Sequence, residues 1–134
     1  MASLVLPDSN FFIRSLKAGR DPFTQLAQHA EKTEFVTCGV VIAEVTRGLR
    51  ASSLRQKFEE NFALMTCVPT TTVIWGRTTQ LAWSLDRQGI VLPLTDLIIA
   101  ATALEADATV LTVDSHFKKI SGLRVTDHPG SPSS

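Results

Sequence analysis

The stretch DLIIAATALEADATVLTVD, residues 96–114, constrains the fold more than any other part of the sequence. Its first half is an alanine-rich run of helical character. Its second half, ATVLTVD, is built almost wholly from β-branched and aliphatic residues and stops at a turn-like Asp-Ser pair, as a buried strand does. A helix that passes into a strand without a gap is one limb of a β-α-β crossover, which joins parallel strands in a right-handed sense.

The rest of the chain repeats that alternation. Leu4–Asp8 reads as a buried strand and is followed at once by a helix through Phe11, Phe12, Ile13 and Leu16 that ends near Gly19. Pro22 suits the first turn of a second helix, PFTQLAQHAEK, with Phe23, Leu26, Ala27 and Ala30 at helical spacing. EFVTC gives a second strand. VVIAEVTRGLR and SSLRQKFEENFALM give two further helices, the latter with Ser52 or Ser53 as its N-cap. CVPT is a short strand and TTVIWGRTTQLAWSLDRQG a long helix closed by Gly89. After ATVLTVD, a short helix around HFKKI and a last strand, LRVTD, complete the pattern. The expected architecture is a three-layer α/β/α sandwich around a parallel sheet of about five strands. At 134 residues the chain is expected to form one domain, residues 1–127. HPGSPSS, residues 128–134, has the composition of a flexible end.

Composition excludes several classes of function. With 44% hydrophobic and 19% charged residues, the chain is neither disordered nor fibrous. No apolar run approaches the ~20 residues needed to cross a bilayer, and the first residues lack the features of a secretory signal. A cytoplasmic location is therefore expected, with no membrane partner. Cys38 and Cys67 stand in separate apolar contexts without a CxxC or a nearby His, so they read as reduced core residues. A formal net charge of zero argues against coating nucleic acid by bulk attraction and leaves only local basic patches. Arg47, Arg50, Arg55 and Lys57 form one such patch with no acid among them, and Arg14, Lys17 and Arg20 form a smaller one. Each is also what a solvated helix face looks like.

Four carboxylates stand where burial alone would not put them. Asp8 and Asp114 end strands, and in a parallel sheet both point into the crevice beyond the carboxyl ends if their strands are neighbours. Asp96 opens a helix on the same edge. Glu44 lies between Ile42 and Val45 and borders an apolar stripe. An N-cap role, worth ~1 kcal/mol, explains any one of the three aspartates, and Glu44 has Arg47 within reach three residues along its helix. All four on one edge would repel one another and raise their own pKa values, a cost that a divalent cation removes. Hard oxygen donors suit Mg²⁺ or Mn²⁺ and leave room for waters and phosphate oxygens, which points to metal-assisted phosphodiester hydrolysis.

LVLPDSN, VVIAEVTRGL and PLTDLIIAATALEADATVLTVDSHF, in that order, resemble the PIN domain over roughly residues 4–127, and the length is similar to that of the VapC toxins of bacterial toxin-antitoxin modules. The resemblance implies a metal-dependent endoribonuclease in which Asp8, Glu44, Asp96 and Asp114 match the acidic quartet that binds Mg²⁺ or Mn²⁺. It assigns Ser9 and Thr112 to supporting roles, orienting carboxylates and waters by hydrogen bonds. His116 departs from the pattern, since many relatives carry a further acid there. A neutral imidazole binds Mg²⁺ poorly while tolerating Mn²⁺, which bears on a second metal; the plain alternative is an exposed residue at a helix start. Pro7 is also unusual just before the first aspartate.

The same resemblance implies a homodimer, RNA as substrate, and an antitoxin whose segment lies in an apolar groove and sends a basic side chain toward the acids. Phe11, Phe12, Leu16, Phe58, Phe62 and Met65 are candidates for that groove and equally for the core. The basic run from Arg47 to Lys57 follows Glu44 and is placed to hold RNA phosphates. Two other readings stand beside the toxin. One is a PIN-type nuclease of RNA processing or decay without an antitoxin, which shares the site. The other is a phospho-acceptor signalling domain, which wants adjacent acids after its first strand and a lysine after its last; LVLPDSN and LRVTD supply neither.

Overall fold

The first strand, β1 (Ser3–Pro7), becomes the centre of the sheet. The computed structural model describes residues 3–130. After β1 come α1 (Ser9–Lys17), α2 (Pro22–Ala27), β2 (Thr33–Cys38), α3 (Gly39–Arg47), α4 (Ser52–Ala63) and β3 (Thr66–Val68). The chain continues through α5 (Thr72–Arg87), α6 (Leu94–Ala106), β4 (Thr109–Leu111), a 3₁₀ turn (Ser115–Lys119) and β5 (Val125–Thr126). Every strand pair is parallel and the order is β3-β2-β1-β4-β5. The chain steps outward from β1 to β2 and β3, then returns to β4 on the other side of β1. The switch point of the topology, where such sheets form their crevices, therefore lies between β1 and β4. Right-handed crossovers put α1 to α4 on one face, and α5, α6 and the 3₁₀ turn on the other.

Each layer is held by burial of what the sequence supplies. Val5 and Leu6 of β1, Val36 of β2, and Val110 and Leu111 of β4 are almost fully buried in the main core cluster. On one side, Phe12 of α1, Phe23 of α2 and Phe58 and Phe62 of α4 interlock, with ring centroids 5.0–5.5 Å apart in the closer pairs. These tilted and edge-on contacts tie three helices together beyond simple area burial. On the other side, Leu97–Ala103 of α6 is buried at every position, because the helix lies between the sheet and α5 and also meets α3.

Several boundaries differ from the sequence reading for identifiable reasons. Ser52 is the first residue of α4 rather than its cap; Ala51 precedes it with no side-chain cap bond. β4 stops at Leu111, so Asp114 lies in the loop beyond the strand. α6 begins at Leu94, which puts Asp96 inside the first turn instead of at the cap. The gapless passage from α6 to β4 runs through Asp107 in the left-handed conformation (φ 54), the one non-glycine residue with positive φ among the described residues. Arg124 braces it, donating to the Asp107 carbonyl at 2.8 Å and to Oδ1 at 2.9 Å. Cys38 is buried, but Cys67 is exposed on the edge strand β3 and is no core residue. Of the tail, His128 and Gly130 are tied by hydrogen bonds to Thr126 and to each other, and residues 131–134 lie outside the described residues.

Pro7 sits in a central strand, where proline normally breaks a ladder. Asp8 N–H donates to Leu111 O on the β4 side, so by alternation the missing N–H of Pro7 faces β2. The β1–β2 pairing has ended at Val5–Phe35, and no donor is needed there.

Candidate metal centre

The site is built at the carboxyl ends of β1 and β4. Asp8 follows β1 directly and is 2% exposed. It caps α1, with Oδ1 accepting from Phe11 N–H at 2.9 Å, while Oδ2 accepts from the Thr112 hydroxyl at 2.6 Å. Thr112 in turn accepts from Asp114 N–H at 2.9 Å, so one threonine fixes both the buried aspartate and the loop beyond β4. Ser9, the next residue after Asp8, donates to Glu44 Oε1 of α3 at 2.6 Å.

Asp114 caps the 3₁₀ turn, accepting from His116 N–H at 2.9 Å. Across the cleft, Asp96 projects from the first turn of α6. His116 Nδ1 stands between them, 3.2 Å from Asp96 Oδ2 and 3.4 Å from Asp114 Oδ1. Asp96, Asp114 and His116 each offer a ligand atom, and these all lie within 4.8 Å of one another. Asp8 and Glu44 stand outside that triad and are linked to it by charge: Asp96 and Asp114 act on Asp8, and Glu44 acts on Asp96.

The electrostatics carry the cost expected of crowded acids. Burial pushes the Asp8 carboxyl up to about 6 against the opposing hydrogen bonds of Thr112 and Phe11, and the charges of Asp96 and Asp114 push the same way. Burial also raises Asp96, with Asp114 and Glu44 adding to the shift and the His116 hydrogen bond opposing it. Carboxylates that resist ionisation, with oxygen and imidazole donors converging from separate elements, form a donor set that suits a divalent cation.

Comparison with known proteins places the family and the fold. The model of the PIN domain family matches residues 5–123. The chain belongs to the PIN domain family. No curated protein matches it. Among solved structures, this PIN domain superposes on a chain of VapBC2 from Rickettsia felis bound to a promoter DNA fragment, with a TM-score of 0.79 at 19% identity, covering 92% of this chain and 97% of that one. A chain of DNA-bound VapBC from Salmonella typhimurium gives 0.77 at 21%, covering 94% and 98%. A toxin-antitoxin complex from Klebsiella pneumoniae gives 0.71 at 24%, covering 93% and 97%. At these identities the likeness shows the fold.

The basic groups of this PIN domain divide into paired and unpaired ones. Arg55 pairs with Glu59 at 2.6 Å and Lys57 with Asp21 at 3.2 Å, so half of the run is occupied within the chain. Arg47 and Arg50 make no ion pair among the described residues. Arg14 and Arg20 line a cavity of about 240 Å³ that shares Phe11 and Thr112 with the surroundings of Asp8. Of the groove candidates, Phe12, Phe58 and Phe62 are core residues; Phe11, Leu16 and Met65 are half-buried. An apolar cleft does exist, between α2 and α4, lined by Phe23, Leu26, Phe35, Leu64 and Met65. His116 stands near the start of the 3₁₀ turn with its side chain 40% exposed, as in its plain reading, and its Nδ1 also turns toward the acids, a placement that only the turn after Asp114 decides.

Proposed function

We propose that the chain is a metal-dependent endoribonuclease and the toxin of a toxin-antitoxin pair. The observation that carries this is the convergence of Asp8, Asp96, Asp114 and Glu44 from separate elements on the switch point of the sheet, with Asp8 and Asp96 held above the ordinary carboxylate range. In this reading Asp96 and Asp114 are the direct ligands of Mg²⁺ or Mn²⁺, with Asp8 and Glu44 completing the acidic set through further oxygens or bound waters. A cation bound there would acidify a water for attack on phosphorus and offset the charge of the phosphodiester.

The remaining work belongs to the chain's own groups. Phe11 N–H and the Thr112 hydroxyl fix the Asp8 carboxylate, and Ser9 fixes Glu44, so the acids need little rearrangement to receive substrate. Arg47 and Arg50, together with Arg14 and Arg20, would supply the positive charge that an electroneutral protein with an acidic pocket requires to approach RNA.

The toxin assignment is supported by the likeness to VapBC and other toxin-antitoxin complexes. The apolar cleft between α2 and α4, where Leu64 is 86% exposed, suits an apolar antitoxin segment. Trp75 and Trp83 lie eight residues apart on one stripe of α5, 47% and 62% exposed, and suit a homodimer contact.

The deciding experiment incubates total cellular RNA with the purified protein, with and without chelator, and maps the cut ends. Cleavage that requires Mg²⁺ or Mn²⁺ and is abolished in Asp8→Asn and Asp96→Asn is expected. Cleavage undiminished in both variants, or unaffected by chelator, would falsify the reading.

A further inference from the structure

His116 is the one nitrogen donor in a site otherwise made of carboxylates. Its Nδ1 is aimed between Asp96 Oδ2 at 3.2 Å and Asp114 Oδ1 at 3.4 Å, and the three donors come from α6, the loop after β4 and the 3₁₀ turn. Two ligands at right angles on one ion with bonds of ~2.1 Å stand about 3.0 Å apart. The His116 nitrogen is therefore already within a few tenths of an ångström of the spacing that shared coordination requires. Simple ion pairing is a weak reason for this placement, because the His116 side chain is 40% exposed and exposed pairs contribute roughly 0–1 kcal/mol. Its backbone reinforces the arrangement: the His116 N–H donates to Asp114, which sets the turn so that imidazole and carboxylate face the same point.

We propose that His116 is a metal ligand and that it sets the ion preference of the site toward a first-row transition ion, Mn²⁺ over Mg²⁺. This rests on the nuclease-site reading above. Mg²⁺ takes hard oxygen donors and gains little from imidazole, whereas first-row transition ions accept mixed nitrogen and oxygen sets. Asp96 and Asp114 supply the charge that holds either ion; the imidazole supplies the discrimination.

The test measures Mn²⁺ and Mg²⁺ binding by calorimetry and Mn²⁺ coordination by pulsed electron paramagnetic resonance, on the parent, His116→Asp and His116→Ala, each first checked for native circular dichroism. In the parent, Mn²⁺ is expected to bind about tenfold or more tighter than Mg²⁺ and to show nitrogen-14 modulation from a coordinated imidazole. Both substitutions should abolish the modulation, and His116→Asp should cut the Mn²⁺ to Mg²⁺ affinity ratio by about tenfold. Bound Mn²⁺ without nitrogen modulation, or a ratio unchanged in His116→Asp, overturns the assignment of His116 and leaves the carboxylate site standing. No saturable binding of either ion to the parent overturns both readings together.

Discussion

Asp8 concentrates the energetics of the site in one residue. It is buried and carries two hydrogen bonds, and its folded pKa of about 6 stands above the ordinary 3.8. A carboxyl group with a raised folded pKa keeps its proton in the native state where the unfolded chain has lost it. Its contribution to stability is thus present below pH 3.8 and lost as pH rises through about 6. The gap corresponds to about 3 kcal/mol. In metal-free buffer, the difference in unfolding free energy between Asp8→Asn and the parent should therefore grow in favour of the variant from pH 4 to pH 7, by about 2–3 kcal/mol, in denaturant titrations at each pH. Asparagine can still cap α1 and accept from Thr112, so a flat difference across that range would show that Asp8 is not held in a costly state. Glu44 makes a second residue-scale case. Glu44→Gln should weaken Mn²⁺ or Mg²⁺ affinity in calorimetry, and Ser9→Ala, which only frees Glu44, should do so by about tenfold. The four acids were legible from their positions in the sequence. The partners that hold them were legible as residue types, but which hydroxyl meets which carboxylate depends on strands a hundred residues apart.

At the scale of elements, the helix-to-strand passage at Asp107 is the feature whose strain the sequence conceals. A non-glycine residue in the left-handed region costs roughly 1–2 kcal/mol, which Asn and Asp bear best. Here Arg124 reaches across from the approach to β5 to hold it. Asp107→Ala should lower the denaturation midpoint by the equivalent of about 1–2 kcal/mol, and Asp107→Gly should recover most of that, since glycine accepts the conformation without a side-chain brace. Equal stability of the alanine variant and the parent would contradict this account of the junction. The shortened β4 belongs to the same scale. ATVLTVD has strand composition throughout, yet β4 ends early: Thr112 keeps a backbone bond to β5, its N–H donating to Thr126 O at 2.8 Å, while its side chain binds Asp8, Val113 is exposed, and Asp114 caps the next turn. Side-chain hydrogen bonds outcompeted propensity where the strand meets the site.

For the whole molecule, the surface poses the remaining question. Val73, Trp75 and Trp83 on α5, with Val91 and Leu94 near by in sequence, are large apolar groups left more than 45% exposed. Arg87 covers part of Trp83 at 4.9 Å from the ring centroid. If this face joins two copies, Trp75→Glu with Trp83→Glu should convert a dimer to a monomer in sedimentation velocity while leaving the circular dichroism spectrum unchanged. A parent that sediments as a monomer at high micromolar concentration would remove the dimer reading. No helix among the described residues is long and apolar enough to cross a membrane.

The sequence by itself determined the parallel α/β architecture, because alternating periodicities and a gapless helix-to-strand block leave few other ways to bury the apolar residues. It also singled out the four acids as candidates, because charged residues beside strand-like and apolar helical segments stand out against burial. Only the tertiary structure decided that β4 lies beside β1, that Thr112 and Asp8 share a hydrogen bond across 104 residues, and that half of the basic run is spent on internal ion pairs. Only the tertiary structure, too, turned His116 toward Asp96 and Asp114. Local pattern records what each segment can bury; which segments meet is settled by packing of the whole sheet and its helices, and the site is made where they meet.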